Sequence, residues 1–125
     1  MQTGFVRDLQ SMLLGMEPAL DDAAYAFTQK RGEGETFALI NEGEGAAYII
    51  RATTEPQPHF ARITLQVHSD LEGVGLTAAV ATALAAEGIA CNVIAAFHHD
   101  HLFVPWDRRD DAMVVLKRIS DEARG

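Results

Sequence analysis

The chain has 125 residues, 18 acidic against 10 basic side chains, a net charge of -8 and 48% hydrophobic residues. That fits one compact domain, or two very small ones sharing a core, burying roughly two-thirds of its extended surface. The negative excess offers no footprint for a phosphate backbone or an anionic membrane, which disfavours both as partners and leaves cationic or zwitterionic ligands open.

Met1 opens on polar Gln2-Thr3-Gly4 rather than a basic start with an apolar segment, and the single Cys91 cannot close an internal disulfide. The longest charge-free stretch, 73–86, is shorter than the ~20 apolar residues of a spanning helix. A cytoplasmic protein with no membrane span is expected.

In chain order, Phe5, Leu9, Met12, Leu13 and Met16 recur at helical spacing and stop before Pro18, which predicts a helix from about Val6 to Gly15. Tyr25 and Phe27 alternate with small residues, and Thr36-Phe37-Ala38-Leu39-Ile40 does likewise across the polar loop Gly32-Glu33-Gly34-Glu35, which predicts two strands. Glu42 to Ile50 is ambiguous: Ala46, Ala47, Ile49 and Ile50 suit a short helix whose start Gly43 and Gly45 weaken. Thr53-Thr54-Glu55-Pro56-Gln57-Pro58 breaks the chain into halves.

Beyond the break, strict alternation in 62–68 points Ile63, Leu65 and Val67 at a core and Thr64, Gln66 and His68 away from it. A turn with Ser69, Asp70, Gly73 and Gly75 feeds a helix that carries Leu76, Val80, Ala83 and Leu84 on one side and ends at Gly88 as a left-handed cap. The apolar run Ile89 to Phe97 reads as an interior strand, and His101 to Val104 as another after the tight His98-His99-Asp100 connection. The last helix opens at Asp107, with Asp110 and Asp111 in its first turn, Lys117 and Arg118 in its last, and Ala112, Leu116 and Ile119 inward.

Strand, helix, strand, strand, helix in the second half is the opening of a ferredoxin-like split βαβ unit, with its fourth strand missing. The first half reads helix, strand, strand and the ambiguous segment. The expectation is therefore an α+β, ferredoxin-like sandwich: an antiparallel sheet with helices on one face, in two degenerate tandem units, 1–57 and 58–125. The alternative is a single irregular α+β domain.

Chemistry has two candidate seats. The glycine-bearing turn from Ser69 to Thr77 exposes the unpaired N–H groups of a helix start to a carboxylate, while Asp70 and Glu72 disfavour phosphate and suit a ligand ammonium. Those acids could equally just complement the helix dipole. In His98-His99-Asp100-His101, alternation sets His99 and His101 together, where they could hold a divalent metal, but the spacing matches no zinc signature and fixing the hairpin is the simpler role. Cys91 reads as a small buried hydrophobe, and Ser69 and His68, adjacent on an extended strand, point apart. Between Glu72 and Glu87 the helix has no charged residue, so Thr77, Ala78, Ala81, Thr82 and Ala85 either meet a repeat or a second subunit, or are alanine-rich surface.

Leu76-Thr77-Ala78-Ala79-Val80, Ala83-Leu84-Ala85, Gly88-Ile89-Ala90-Cys91-Asn92-Val93 and His99-Asp100-His101-Leu102-Phe103-Val104-Pro105 together resemble the second half of an ACT domain. They are closest to small bacterial ACT-like proteins of unassigned function, which are similar to the ACT pairs of aspartokinases and cytosolic amino-acid sensors. Tyr25-Ala26-Phe27 and Glu35-Thr36-Phe37-Ala38-Leu39-Ile40 resemble a degenerate leading unit. The turn lacks the Asp-x-Pro-Gly often found in the family.

The resemblance implies a non-catalytic regulatory or sensing module, without cofactor or metal, that binds an amino acid or similar small zwitterion at a unit interface. It implies a homodimer and a regulated protein partner. The site carried over is Ser69, Asp70, Leu71, Glu72, Gly73, Val74, Gly75 and Leu76 in the turn, Asn92 and Val93 on the strand, and His99 and Asp100. Two alternatives stand beside it: an oligomerisation module without ligand, and a metal-dependent hydrolase built on His98 to His101.

Overall fold

Apolar side chains at every second position of residues 60–65 and 100–105 place two strands at the centre of the molecule. In the computed structural model, which describes residues 5, 7–32, 34–52 and 59–125, these strands are β4 (Phe60–Leu65) and β6 (Asp100–Pro105). They join β1 (Pro18–Thr28), β2 (Thr36–Glu42), β3 (Gly45–Arg51) and β5 (Asn92–Ala95) in one six-stranded antiparallel sheet of order β2-β3-β1-β4-β6-β5. The helices are α1 (Leu9–Leu14), α2 (Leu76–Ala86) and α3 (Arg109–Glu122). The 53–58 break, Glu33 of the polar loop and the Val6 start of the first helix lie outside the described residues.

Four strands in the order β1-β4-β6-β5 reproduce the ferredoxin-like sheet. The fourth strand that the second half lacks is supplied by β1, antiparallel to β4 from Pro18 opposite Leu65 to Tyr25 opposite Phe60. All three helices pack on one face, where Met12 and Met16, Ile63 and Leu65, Val80 and Leu84, Leu102 and Val104, and Leu116 form the main core. The Ser120 hydroxyl donates to the Leu13 carbonyl at 2.7 Å, and the Gln66 N–H to the Met16 carbonyl at 2.7 Å, so α1 is tied to α3 and to the end of β4.

Among the described residues the opposite face has no helix, yet it is also covered. Phe37 of β2 lies 5.7 Å from the Phe103 ring and 4.9 Å from the His101 ring, both on β6. Four strand spacings of ~4.8 Å would hold β2 about 19 Å from β6 in a flat sheet, so the sheet curls until its edge touches its far side. Phe103, fully buried, meets Tyr25, Phe27 and Phe37 edge-to-face at 5.8, 5.4 and 5.7 Å, the preferred geometry for aromatic pairs.

Several expectations need correction. Residues 45–51 form a strand, not a helix: Gly43-Glu44 is the two-residue turn of the β2–β3 hairpin, and Gly45 sits at φ +134°, so those glycines serve the turn. The first strand begins at Pro18, well before Tyr25, because its alternation is interrupted where Leu20 opposes Ile63 but Ala24 opposes Ala61. The strand expected over 62–68 ends at Leu65, and Val67 still reaches the core beyond it. Ile89 to Phe97 shrinks to Asn92–Ala95, which is an edge strand. The first helix starts at Leu9, where Asp8 accepts from the Ser11 N–H at 3.0 Å. The last begins with a 3-10 turn (Trp106–Arg108) and runs to Glu122, so Lys117 and Arg118 are not in its final turn and Ile119 is only partly buried. Gly88 does close α2, at φ +71°.

Replacing Phe103 by alanine removes the ring on which three others close and should cost about 3–5 kcal/mol, read from urea unfolding. His101 gives a pH test. Burial, then the Arg62 and His99 charges, depress its pKa from 6.5 to about 4. Between those values the unfolded chain binds a proton that the folded chain does not, so stability falls as pH drops from 6.5 to about 4. His101→Gln should flatten the unfolding free energy across that window.

Candidate functional site

Beyond Leu65 the chain leaves the sheet and turns into α2. Asp70 builds that turn: its carboxylate accepts from the Glu72 N–H at 2.8 Å and its carbonyl from the Gly73 N–H at 2.8 Å. Gly75 then enters α2 at φ +106°, and no side chain caps the helix, so the first amides of α2 have no side-chain acceptor. A Cβ on Gly73 would stand 3.1 Å from the Asp70 carbonyl and 3.2 Å from that of Arg7, so only glycine fits there without displacement.

Beneath this turn lies a cavity of about 140 Å³ lined by Ser69, Asp70, Gly73, Leu76, Ala95 and Asp100, with Leu71, Gly75 and Thr77 at its wall and Met12 behind. Asp100 is nearly inaccessible, and its carboxylate accepts from the Ser69 hydroxyl at 3.3 Å. Burial pushes its pKa up, against the pull of Ser69 and His99. The structure thus brings Ser69, Asp70, Leu71, Gly73, Gly75, Leu76 and Asp100 of the expected site together. Glu72 lines a neighbouring hollow with Phe5 and Phe97, and Val74 is 81% exposed.

Asn92 and Val93 stand elsewhere. Ala95 opposite Asp100 is the β5 residue on the cavity, while Asn92 opposes Phe103 three residues, about 10 Å, along the strand. Val93 packs against the helix-side core. The His99 Nδ1 is 3.0 Å from the Leu65 carbonyl and the His101 Nδ1 is 2.9 Å from the Thr64 hydroxyl. Among the described residues no three of His, Cys, Asp and Glu come together to hold a metal.

Sequence reasoning missed Arg7. Its guanidinium lies 3.5 Å from Asp70 and 2.8 Å from Glu72, so the two acids expected to meet a ligand ammonium already share a cation. Asp100 is the acid facing the cavity that pairs with no arginine or lysine among the described residues. Nothing local to Arg7 marks this role, because the pairs span more than sixty residues. Cys91 is half-buried, and burial lifts its thiol to about 11, which leaves it unreactive. The exposed side of α2 carries Thr77, Ala78, Thr82 and Ala85. Among the described residues no helix is long and apolar enough to cross a membrane.

Comparison with known proteins gives a consistent answer. No curated protein sequence matches the chain. A solved structure from Vibrio cholerae, of a protein of unknown function titled a possible transport protein, is 39% identical, with a TM-score of 0.74 over 85% of this chain and 91% of that one. A second, from Agrobacterium tumefaciens, shares the fold at 16% identity and a TM-score of 0.57, over 78% of this chain and 81% of that one. The ACT domain model matches residues 59–118, which hold β4, the turn, α2, β5, β6 and most of α3. Residues 59–118 thus match the ACT domain, a family whose members are in general regulatory domains that bind small molecules.

Proposed function

We propose that the chain is a non-catalytic cytoplasmic sensor that binds a small amino acid in the cavity under the β4–α2 turn and signals its occupancy to a partner protein. The observation that carries this reading is the meeting, within about 140 Å³, of the uncapped start of α2 and the buried carboxyl of Asp100. An amino acid's carboxylate finds the free amides there, and its ammonium gives Asp100 a counter-charge beyond the pull of His99 and offsets its burial. Arg7 keeps Asp70 and Glu72 for shaping the turn.

Two further parts of the reading concern assembly. The strand order β2-β3-β1 on one side of the β1–β4 seam mirrors β5-β6-β4 on the other, which supports reading 1–57 as a degenerate ACT-like half and 58–125 as the full ACT-like domain. The uncharged exposed side of α2 supports a homodimer. That same surface favours a second reading, an oligomerisation module without ligand.

The two readings part on experiment. In a thermal-shift screen of the amino acids, a ligand at a hundred times its Kd adds about 2.7 kcal/mol and should raise the Tm by several degrees. Gly73→Val should abolish that shift by wedging the turn open, and a screen in which no amino acid moves the Tm refutes binding. Ala78→Glu should turn the dimer into monomers in analytical ultracentrifugation. If it does so while every amino acid leaves the unsubstituted protein unmoved, the surface serves assembly alone.

A further inference from the structure

Two irregularities in the sheet converge on one place. Between Leu20 and Ala24, β1 carries two more residues than its partner stretch Ala61–Ile63, and between Thr36 and Ala38, β2 carries one more than Ile49–Ile50. Bulges of this kind re-aim side chains and gather beside functional sites. Here they turn Asp21 and Phe37 into the mouth of the curl, where a cavity of about 310 Å³ is lined by Asp21, Tyr25, Thr36, Phe37, Arg51 and Arg62, with Glu35 at its rim.

Arg62 is held in an unusual state there. Its guanidinium lies 4.4 Å from the Phe37 ring centre and 5.3 Å from that of Tyr25, so rings flank it and hydrogen-bond donors line its edge. Its nearest carboxylate, Asp21, is 3.7 Å away, too far for a hydrogen bond. The Nε is buried and makes no hydrogen bond, and neither does the buried hydroxyl of Thr36. Buried donors without acceptors are rare and costly, and two of them belong to residues that line one hollow.

We propose that this hollow is a second binding site, for a small monocarboxylate whose carboxylate is held by the edge of the Arg62 guanidinium and by the Thr36 hydroxyl. A planar carboxylate matches the guanidinium fork. The charge balance sets the rest of the ligand. Arg51 faces Glu35 at 3.6 Å, and the Tyr25 hydroxyl donates to Asp21 at 2.6 Å, so two cations and two anions already surround the space. A second negative charge would meet Asp21 and Glu35, so dicarboxylates and phosphates are rejected, while an apolar or ammonium-bearing remainder rests on Phe37. The site lies on the helix-free side of the sheet and does not depend on the reading of the β4–α2 turn.

The test is a titration of the isotopically labelled protein with propionate, alanine and succinate, followed by ¹H–¹⁵N NMR. The Thr36 and Phe37 amides and the Arg62 Nε–H should move together to saturation with propionate or alanine, and succinate should bind about tenfold more weakly or not at all. Arg62→Lys keeps the charge but loses the fork and should weaken binding by about tenfold or more. Thr36→Val, nearly the same shape, should weaken it several-fold even if the lysine variant folds poorly. The proposal is overturned if these resonances stay still while the spectrum remains folded, if succinate binds as well as propionate, or if shifts gather only around Ser69 to Leu76.

Discussion

The fold turns on a packing demand: β6 is buried on both faces and β4 is buried on one and half-buried on the other, but helices cover only one. Ile63, Leu65, Leu102 and Val104 meet the helices, whereas Phe60, Arg62, Phe103 and His101 point the other way. A helix-free sheet face this aromatic must be hidden from water by something. In this chain the sheet hides it by curling, and Phe103 is the post around which the curl closes. The cost of that solution is that a guanidinium and an imidazole end up inside. Ring contacts over Arg62 and the Thr64 hydroxyl on His101 compensate in part.

The two cavities differ because their charges are disposed of differently. At the β4–α2 turn a distant arginine, Arg7, neutralises Asp70 and Glu72, and the carboxyl whose burial outweighs the help of Ser69 and His99 is Asp100. Inside the curl every charge has an opposite nearby, but at separations of 3.6 and 3.7 Å that leave hydrogen-bonding capacity unused. Asp21 shows the distinction: burial works against its charge, yet the Tyr25 hydroxyl and the Arg62 charge hold its pKa below the ordinary carboxylate value. It stays an anion, and so limits what else can enter.

The sequence made the helix-side half of this architecture readable, because its signals are local and periodic. Ile63, Leu65 and Val67 alternate, Leu76, Val80 and Leu84 recur on a helix, and Gly88 ends it. Misreadings arose where one residue type serves two purposes. Gly43 and Gly45 weaken a helix but also make a hairpin, and the apolar run after Ile89 looks interior although β5 is an edge; the start of β1 went unread because a bulge between Leu20 and Ala24 interrupts its alternation. The turn cavity was legible in part, since Ser69 to Leu76 are contiguous. The curl cavity was not: its lining comes from four strands, and a bulge leaves no mark in composition or period.

Why the first half curls while the second stays against its helices follows from one difference between them. On each side of the β1–β4 seam the strands run in the same order, but the connection between the first and second strand is a helix only in the second half; β1 passes to β2 through residues 29–35. A helix pressed on a sheet restricts its bending to the common twist. Without one, β2 and β3 are free to fold toward whichever face most needs cover, and the exposed rings of β4 and β6 decide the direction. The short β1–β2 connection thereby turns what would be a flat extension of the sheet into a roof, and brings Phe37 and Thr36 to Arg62 across two intervening strands.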